Sequence, residues 1–390
     1  MGESKSIQGV ERRQPLRRFP VSLTWIFGAI ALLARLSMFP YVSEDATFFL
    51  LPWMQEFRDH GALALGGEFS NYNFPYLLLM YLASLLPLEP LYAIKLASLV
   101  GDLALALSIG ALVRQFRPAK LAPSAAALIA LFLPTVLMNA AMWGQCDSLY
   151  TSFLVLSLRS LLRNDGRGAW LFWAVALSFK LQSVFFLPAL VLVSLRNRYS
   201  VSSPAIAAAL WLVLSLPPMV LGRSFASTIG VYVQQTQGNR LVFGAANVFV
   251  WFPEADPAQG RWWGILSCGL VVALVGIGYW RREDSPEQRV LLVISMVAVC
   301  PLLLPQMHDR YFFAAEVMSL LLVGARGLRV VPLLFAGNGL LVYLLYFAGN
   351  RYALPLMIAS VVQCFAAFLL LRALTGGSNP WKRAPATVNP

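Results

Sequence analysis

Two carboxylates, Glu44 and Asp45, stand side by side just beyond the first long apolar run, in the stretch Pro40–Tyr41–Val42–Ser43–Glu44–Asp45. Only 12% of the 390 residues are charged, against 58% hydrophobic, so acidic groups are scarce. An adjacent pair at the mouth of an apolar segment therefore points to use, because ionisable groups there are costly to keep. A carboxylate in that position can take a proton from a hydroxyl as a general base. The bland alternative is a helix cap, since Ser and Asp both cap helices; that reading suits Ser43 or Glu44 alone better than it suits the pair.

Three further constellations carry polar chemistry. Trp143–Gly144–Gln145–Cys146–Asp147 offers a tight backbone turn and two directional hydrogen-bonding side chains. Asp147 falls at the start of an apolar run, where a helix dipole favours a carboxylate, so capping and substrate binding weigh about equally. Lys180 and Gln182 sit between two short apolar runs. A lysine there needs an anion, either a phosphate or an internal carboxylate such as Asp102 or Asp147. Met307–His308–Asp309–Arg310–Tyr311 places three ionisable groups in a row. A guanidinium fork held by a neighbouring acid suits a phosphate, and the alternative is an interhelical ion pair. Tyr72, in Asn71–Tyr72–Asn73–Phe74–Pro75–Tyr76, joins the candidate substrate-binding residues.

The elements that must position these groups are apolar segments. A mean hydropathy of +0.67 and repeated apolar runs fit a membrane-spanning chain rather than a soluble core. The runs fall near residues 21–40, 74–87, 91–113, 121–139, 148–162, 169–180, 182–195, 204–222, 263–280, 289–305, 311–325, 330–347 and 353–373. The expected architecture is an all-α, polytopic transmembrane bundle of about 11–13 segments. The net charge of +12 is dispersed in tufts between these runs, such as Arg114, Arg117 and Lys120, or Arg281 and Arg282. That pattern marks cytoplasmic loops and excludes a nucleic-acid groove. The segments 41–73, 143–147, 223–262 and 307–310 then share the opposite face. One conflict follows: if 74–87 and 91–113 both cross, the Arg114–Lys120 tuft lands on the wrong side, so one of them is expected to be re-entrant or incomplete.

Residues 169–180 and 182–195 are too short to cross alone and should meet at depth around Lys180. Residues 46–65 mix aromatic and charged side chains and read as an amphipathic interfacial helix anchored by Trp53, broken by Gly61, Gly66 and Gly67. Polar residues of the long outer loop, Gln234, Gln235, Gln237, Asn239 and Asn247, are further candidates to bind hydroxyls, although such residues also fill solvated loops. The boundaries expected are a cytoplasmic tail over 1–20, a single transmembrane domain over 21–374 and a second cytoplasmic tail over 375–390, with polar, disordered ends. The first apolar run lacks a small-residue cleavage site and reads as a signal anchor.

Of the four cysteines, Cys146, Cys268, Cys300 and Cys364, no spacing suggests a disulfide framework or zinc site. Phosphate-binding glycine loops are missing. Glu44 and Asp45 without histidine would make only a loose oxygen site for a divalent ion, so no cofactor is required and a metal is not implied. The absence of N-x-Ser/Thr sequons and the excess of Arg over Lys favour a bacterial inner membrane.

Together, the acidic pair in SED, the NYNFPY re-entry, WGQCD, KLQ followed by Pro188, and MHDRY resemble the GT-C superfamily of multi-span glycosyltransferases over most of residues 20–375. The chain looks most similar to bacterial relatives of the second mannosyltransferase of glycosylphosphatidylinositol synthesis. The resemblance implies a hexose, mannose-like, moved from a polyprenyl-phosphate donor to a lipid or glycan acceptor hydroxyl on the outer face. It implies inversion at the anomeric centre, with Asp45, or secondarily Glu44, as the catalytic acid of the first outer loop. Asp309 departs from the more usual glutamate of the His–Glu–Arg–Tyr motif. Lys180, His308 and Arg310 would then bind the donor phosphate, and Trp143, Gln145, Asp147, Gln182, Asp309 and Tyr72 the substrates. The competing reading from another class is a transporter or flippase of a lipid-linked or polar solute, but the paired halves with matching broken segments expected of transporters do not appear.

Overall fold

The computed structural model describes residues 19–116, 121–235, 238, 240–349, 353–376 and 380–381. Most of the polar tails, the Arg117 and Lys120 positions, and Gln237 and Asn239 lie outside the described residues. The chain is almost wholly helical: α1 Val21–Met38, α2 Leu51–His60, α3 Phe74–Ser84, α4 Pro90–Phe116, α5 Pro123–Phe132, α6 Pro134–Met138, α7 Asp147–Leu161, α8 Gly166–Phe179 and α9 Leu187–Arg196. It continues with α10 Ser202–Ser215, α11 Pro217–Val220, α12 Phe225–Ile229, α13 Val231–Gln235, α14 Pro257–Trp280, α15 Pro286–Leu303, α16 Phe313–Ser319, α17 Val331–Phe347 and α18 Ala353–Thr375. Among the described residues the one β-ladder is a two-residue parallel pair, β1 Val242–Phe243 with β2 Met307–His308.

Proline punctuates the helices. Pro75, Pro123, Pro134, Pro257, Pro286 and Pro332 all fall in first turns, where the missing N–H costs nothing. Pro134 also has a second effect. It forces Leu133 out of the helical region (φ −57°, ψ 128°), and the run expected at 121–139 becomes a pair of helices bent by 60°. Six helices among the described residues are long and apolar enough to cross a bilayer, or seven with that bent pair. Shorter apolar helices, including Phe74–Ser84, Leu181–Arg196 and Val331–Phe347, complete the bundle.

The core centres on α15, in which every residue from Gln288 to Leu302 is buried, as an all-round apolar helix demands. By contrast α1, α14 and α18 expose apolar faces, Trp25, Leu266 and Phe368 among them.

The conflict over 74–87 and 91–113 resolves physically. Lys95, near the start of α4, donates to the carbonyls of Met38 (3.3 Å), Phe39 (2.7 Å) and Tyr41 (2.5 Å) at the end of α1. The start of α4 therefore lies beside the Asp45 end of α1, and its 27 residues carry Arg114 to the opposite end. Helix α3, with 11 residues, rises only about 16 Å and cannot cross. It is the incomplete segment. Below the site a buried ion pair, Arg35 Nε to Asp102 Oδ2 at 2.8 Å, ties α1 to α4. Ser148 donates to the other Asp102 oxygen at 2.5 Å and adds α7. The 169–195 run breaks as expected, with Lys180 extended (φ −149°, ψ 139°) between α8 and a 3₁₀ turn over Leu181–Phe186.

Residues 46–65 form a π-turn, α2 and a 3₁₀ turn, but Trp53 is not the anchor expected. It is buried and packs edge-on against Tyr72, with 5.5 Å between ring centroids. Phe48 and Phe49 are the rings left exposed.

Candidate active site

Asp45, Asp147, Lys180 and Arg310 come from four separate elements, yet all lie at one end of the bundle. Asp45 follows α1, Asp147 opens α7, Lys180 closes α8 and Arg310 follows α15. A chain that reverses direction at each helix puts these turns on the same face, which is why residues up to 265 positions apart can meet. Ser43 acts as a cap: its hydroxyl accepts from the Ala46 N–H at 3.1 Å and donates to the Trp143 carbonyl at 2.9 Å. Asp45 is thereby presented to three donors. Its Oδ2 accepts from Trp143 Nε1 at 2.9 Å and from Gln145 Nε2 at 2.7 Å, and faces Arg310 Nη1 at 3.3 Å. The Asp45 N–H donates to the Tyr346 hydroxyl at 3.2 Å.

Gly144 makes this arrangement reachable. It adopts φ +79°, a left-handed conformation that glycine adopts without steric cost, and so turns the chain between Trp143 and Gln145. The Trp143 ring stacks on Tyr346 at 3.9 Å, and the Arg310 guanidinium lies 5.2 Å from its centroid, within cation–π range.

Behind this layer Asp147 accepts from Lys180 Nζ and from Asn139 Nδ2, both at 2.7 Å, and faces Arg310 Nε at 3.8 Å. Lys180 also donates to Gln145 Oε1 at 3.1 Å, and the Tyr72 hydroxyl approaches that same oxygen at 3.3 Å. Of the alternatives open for Lys180, an internal carboxylate is present, and it is Asp147. Asp102 instead serves Arg35.

Three chambers that share wall residues surround the cluster. The largest, about 540 Å³, is lined by Asp45, Arg240, His308, Asp309, Arg310 and Tyr346 together with apolar residues of the 242–253 loop, α17 and α18. A small chamber of about 120 Å³ shares His308 and Arg310 with it and adds Tyr72, Lys180, Gln182, Gln235 and Tyr311. The third, about 410 Å³, shares Gln182, Gln235 and Tyr311 with the small one and is otherwise mostly apolar, with Val184, Phe185, Ile265, Leu304 and Met307 in its wall. The order is therefore acidic and mixed, then cationic and polar, then apolar.

Several expectations change on this geometry. Trp143, Gln145 and Asp147, expected to touch substrate, line none of these chambers and are at most 4% exposed; they hold other side chains. Glu44 is exposed and no hydrogen bond or ion pair joins it to the cluster, because consecutive helical residues do not share a face. Asn247, a candidate to bind hydroxyls, is fully buried and spends its amide on the Leu304 carbonyl and the Phe249 N–H. Gln235 does reach a chamber, while its amide donates to the Asn71 carbonyl at 2.6 Å.

His308 was expected among the phosphate-binding cations. Removal from water, reinforced by Arg310 and Lys180, pushes its pKa down to about 3, so it is a neutral imidazole stacked on Phe243 at 5.0 Å. The charge belongs to Lys180 and Arg310. Asp309 shifts the other way. Burial drives its pKa up to about 7, with Asp45 adding to the rise and Arg310 opposing it. Residues that sequence reasoning missed are Tyr346, Asn139 and Arg240. Tyr346 and Asn139 lie inside apolar runs and carry no local signal; Arg240 stands in the long outer loop, which the fold brings against the MHDR segment through β1, β2 and the bonds beside them.

Among the described residues no group of three or more His, Cys, Asp or Glu side chains converges to hold a metal ion. The positive charge beside Asp45 and Asp147 comes from Arg310 and Lys180.

Comparison with solved structures finds a similarity to the crystal structure of ArnT from Cupriavidus metallidurans bound to undecaprenyl phosphate. Identity is 18%, the match covers 92% of this chain and 77% of that one, and the TM-score is 0.43. A likeness that distant carries no detail of fold or ligand across. No curated protein matches the chain. The family model of glycosyltransferase family 87 matches residues 70–305, a stretch that includes WGQCD and KLQ, with Asp45 and the MHDR segment flanking it. That match spans more than half of the sequence, and the protein, a multi-pass membrane glycosyltransferase, belongs to glycosyltransferase family 87.

Proposed function

We propose that the protein moves a sugar from a polyprenyl-phosphate donor to an acceptor hydroxyl at the outer face of the membrane, with inversion, and that Asp45 is the base. The observation that carries this reading is Asp45 itself. One of its oxygens is fixed by Trp143, Gln145 and Arg310, leaving the carboxylate on the wall of the largest chamber. The succession of chambers supports the donor class. An apolar space suits a prenyl chain, and the adjoining polar space presents the Lys180 and Arg310 charges where phosphate charge would develop on bond cleavage. The acceptor hydroxyl would enter the largest chamber, lose its proton to Asp45 and attack from the face opposite the leaving phosphate. A phosphate leaves without help from a strong acid, so one base and two cations suffice. A mannose-like hexose as the sugar, a lipid or glycan as the acceptor, and a bacterial inner membrane as the setting complete the proposal.

The test is transfer by purified protein in nanodiscs, offered a panel of polyprenyl-phosphate hexoses beginning with mannose and read by product mass and anomeric configuration. Gradient-independent transfer with inversion is expected. A retained anomeric configuration, or no transfer from any lipid-phosphate sugar by folded protein, would overturn the reading.

A further inference from the structure

Asp309 is the group in the site whose environment fits an ordinary carboxylate least. It is 6% exposed, lines the largest chamber, and its Oδ1 has no hydrogen-bond partner among the described residues. Its nearest cation, Arg310 Nη1, stands 3.8 Å from that oxygen but closer, at 3.3 Å, to Asp45. Gly244, at φ +89°, lays its backbone over the other Asp309 oxygen, so closely that a Cβ there would sit 3.0 Å from Oδ2. An ionised carboxylate in this position would be buried with one oxygen unpaired and only the Arg310 backbone N–H to support it, a costly state for a charge out of water.

Charge balance leads to the same place. The groups that face Asp309 are Arg310 beside it, Asp45 ahead of α2, Asp147 at the start of α7 and Tyr346 on α17, with neutral His308 as its chain neighbour and Arg240 on the chamber wall. If Asp45, Asp147 and Asp309 were all ionised, they would match the cations Lys180, Arg310 and Arg240 one for one and leave no positive charge to spare for a phosphate. With Asp309 protonated, two carboxylates face three cations and a phosphate enters a site with positive charge to receive it.

We propose that Asp309 works as an un-ionised carboxylic acid, donating a hydrogen bond from the chamber wall to a substrate hydroxyl and keeping the site electrically open to a phosphate-bearing donor. It rests on the assignment of a phosphate-linked donor and of Asp45 as base. It sets the two chamber carboxyls apart: Asp45 Oδ2 is held by three donors, whereas Asp309 Oδ1 has no hydrogen-bond partner among the described residues. Ionisation of Asp309 at alkaline pH would then close the site twice over, by removing a hydrogen-bond donor and by repelling the phosphate. A pKa of about 7 puts that loss near neutrality and makes it roughly tenfold for each pH unit above.

The experiment has two arms on the full chain in nanodiscs. In the first, pH-difference infrared spectra of the protein without substrate are compared between wild type and Asp309→Asn. The wild-type-minus-variant difference is expected to contain a protonated-carboxyl C=O band that titrates near neutral pH, over whatever other buried carboxyls contribute to both proteins. Absence of that band from the difference would overturn the proposal whatever the substrate is. In the second arm, transfer is followed against pH with a polyprenyl-phosphate hexose. Asp309→Asn, a neutral isostere that still donates, should lose the alkaline fall and stay more active than Asp309→Ala, which should lose more than tenfold at every pH. A folded Asp309→Asn protein with no activity would overturn the proposal, because it would mean the carboxylate is needed. If wild type shows the band but transfers no sugar from any lipid-phosphate donor, the donor assignment falls and with it the substrate role, while the assigned protonation state stands.

Discussion

Replacing Asp45 by Asn is the sharpest probe of the site, because the structure separates what Asp45 holds from what it does. Its Oδ2 accepts from Trp143 and Gln145 and pairs with Arg310. An Asn oxygen placed at Oδ2 can accept the same two hydrogen bonds, so the Ser43 turn, the Trp143 ring and the Tyr346 contact should persist. The lost charge weakens the pairing with Arg310, which keeps Asp147 at 3.8 Å, and the cost to stability should be about 1–2 kcal/mol. The chemistry has no such substitute. An amide cannot take the acceptor proton, and removal of a positioned general base lowers rates by about 10²–10⁴, equal to roughly 3–5 kcal/mol of barrier. The assay is initial transfer rate from a polyprenyl-phosphate hexose, with thermal unfolding of the same preparation followed by fluorescence. The expected outcome is a near-normal melting curve, a donor KM within a few-fold of wild type and a kcat at least about a hundredfold lower. A kcat within threefold of wild type in Asp45→Asn would refute the reasoning.

Four other outcomes follow from the same geometry. Glu44→Gln should transfer at the wild-type rate, since Glu44 is exposed and outside the cluster; a loss comparable to Asp45→Asn would show that the wrong member of the pair has been assigned. Trp143→Phe keeps an aromatic ring against Tyr346 but deletes the Nε1 bond to Asp45, so kcat should fall about tenfold, the worth of one charge-assisted hydrogen bond, with donor KM changed less. Asp147→Asn leaves Lys180 as a buried cation without its anion, which should cost about 3–5 kcal/mol of stability; neutralising both in Lys180→Met with Asp147→Asn should recover much of that in thermal melts, and failure to recover would argue that Lys180 is held by something else. Asp309 has a folded pKa raised to about 7 from an ordinary 3.8, so the stability it contributes is complete below about pH 4 and is lost as pH rises through 7. Thermal melts of wild type should therefore decline across that window, and Asp309→Asn should flatten the decline.

Part of this architecture was legible in the residues. Apolar runs separated by arginine tufts specify a polytopic helical bundle because hydrocarbon tolerates few other backbones, and the same tufts put SED, WGQCD, KLQ and MHDR on one face. The interruption at Lys180 was also readable, as two runs each too short to span. So was the incompleteness of one segment between residues 74 and 113, although only the contact of Lys95 with the end of α1 decides that it is α3. The bend at Pro134 was missed, because a proline inside an apolar run can start a helix or kink one.

What the sequence determined by itself is the inventory and its grouping between apolar segments: hydropathy and charge act locally, one segment at a time, and need no knowledge of partners. Which donors each carboxylate meets, which cation it faces and which polar side chain reaches a cavity are relations between residues up to 301 positions apart, as for Asp45 and Tyr346. Tertiary packing alone decided them. It turned Glu44 outward and Asp45 inward, gave Lys180 to Asp147 and Asp102 to Arg35, removed the charge from His308 by taking it out of water, and buried Asp309 beside an arginine already engaged elsewhere. Electrostatics in a low-dielectric interior depends on the arrangement of every neighbour within several ångströms, and a list of residue types does not contain that arrangement.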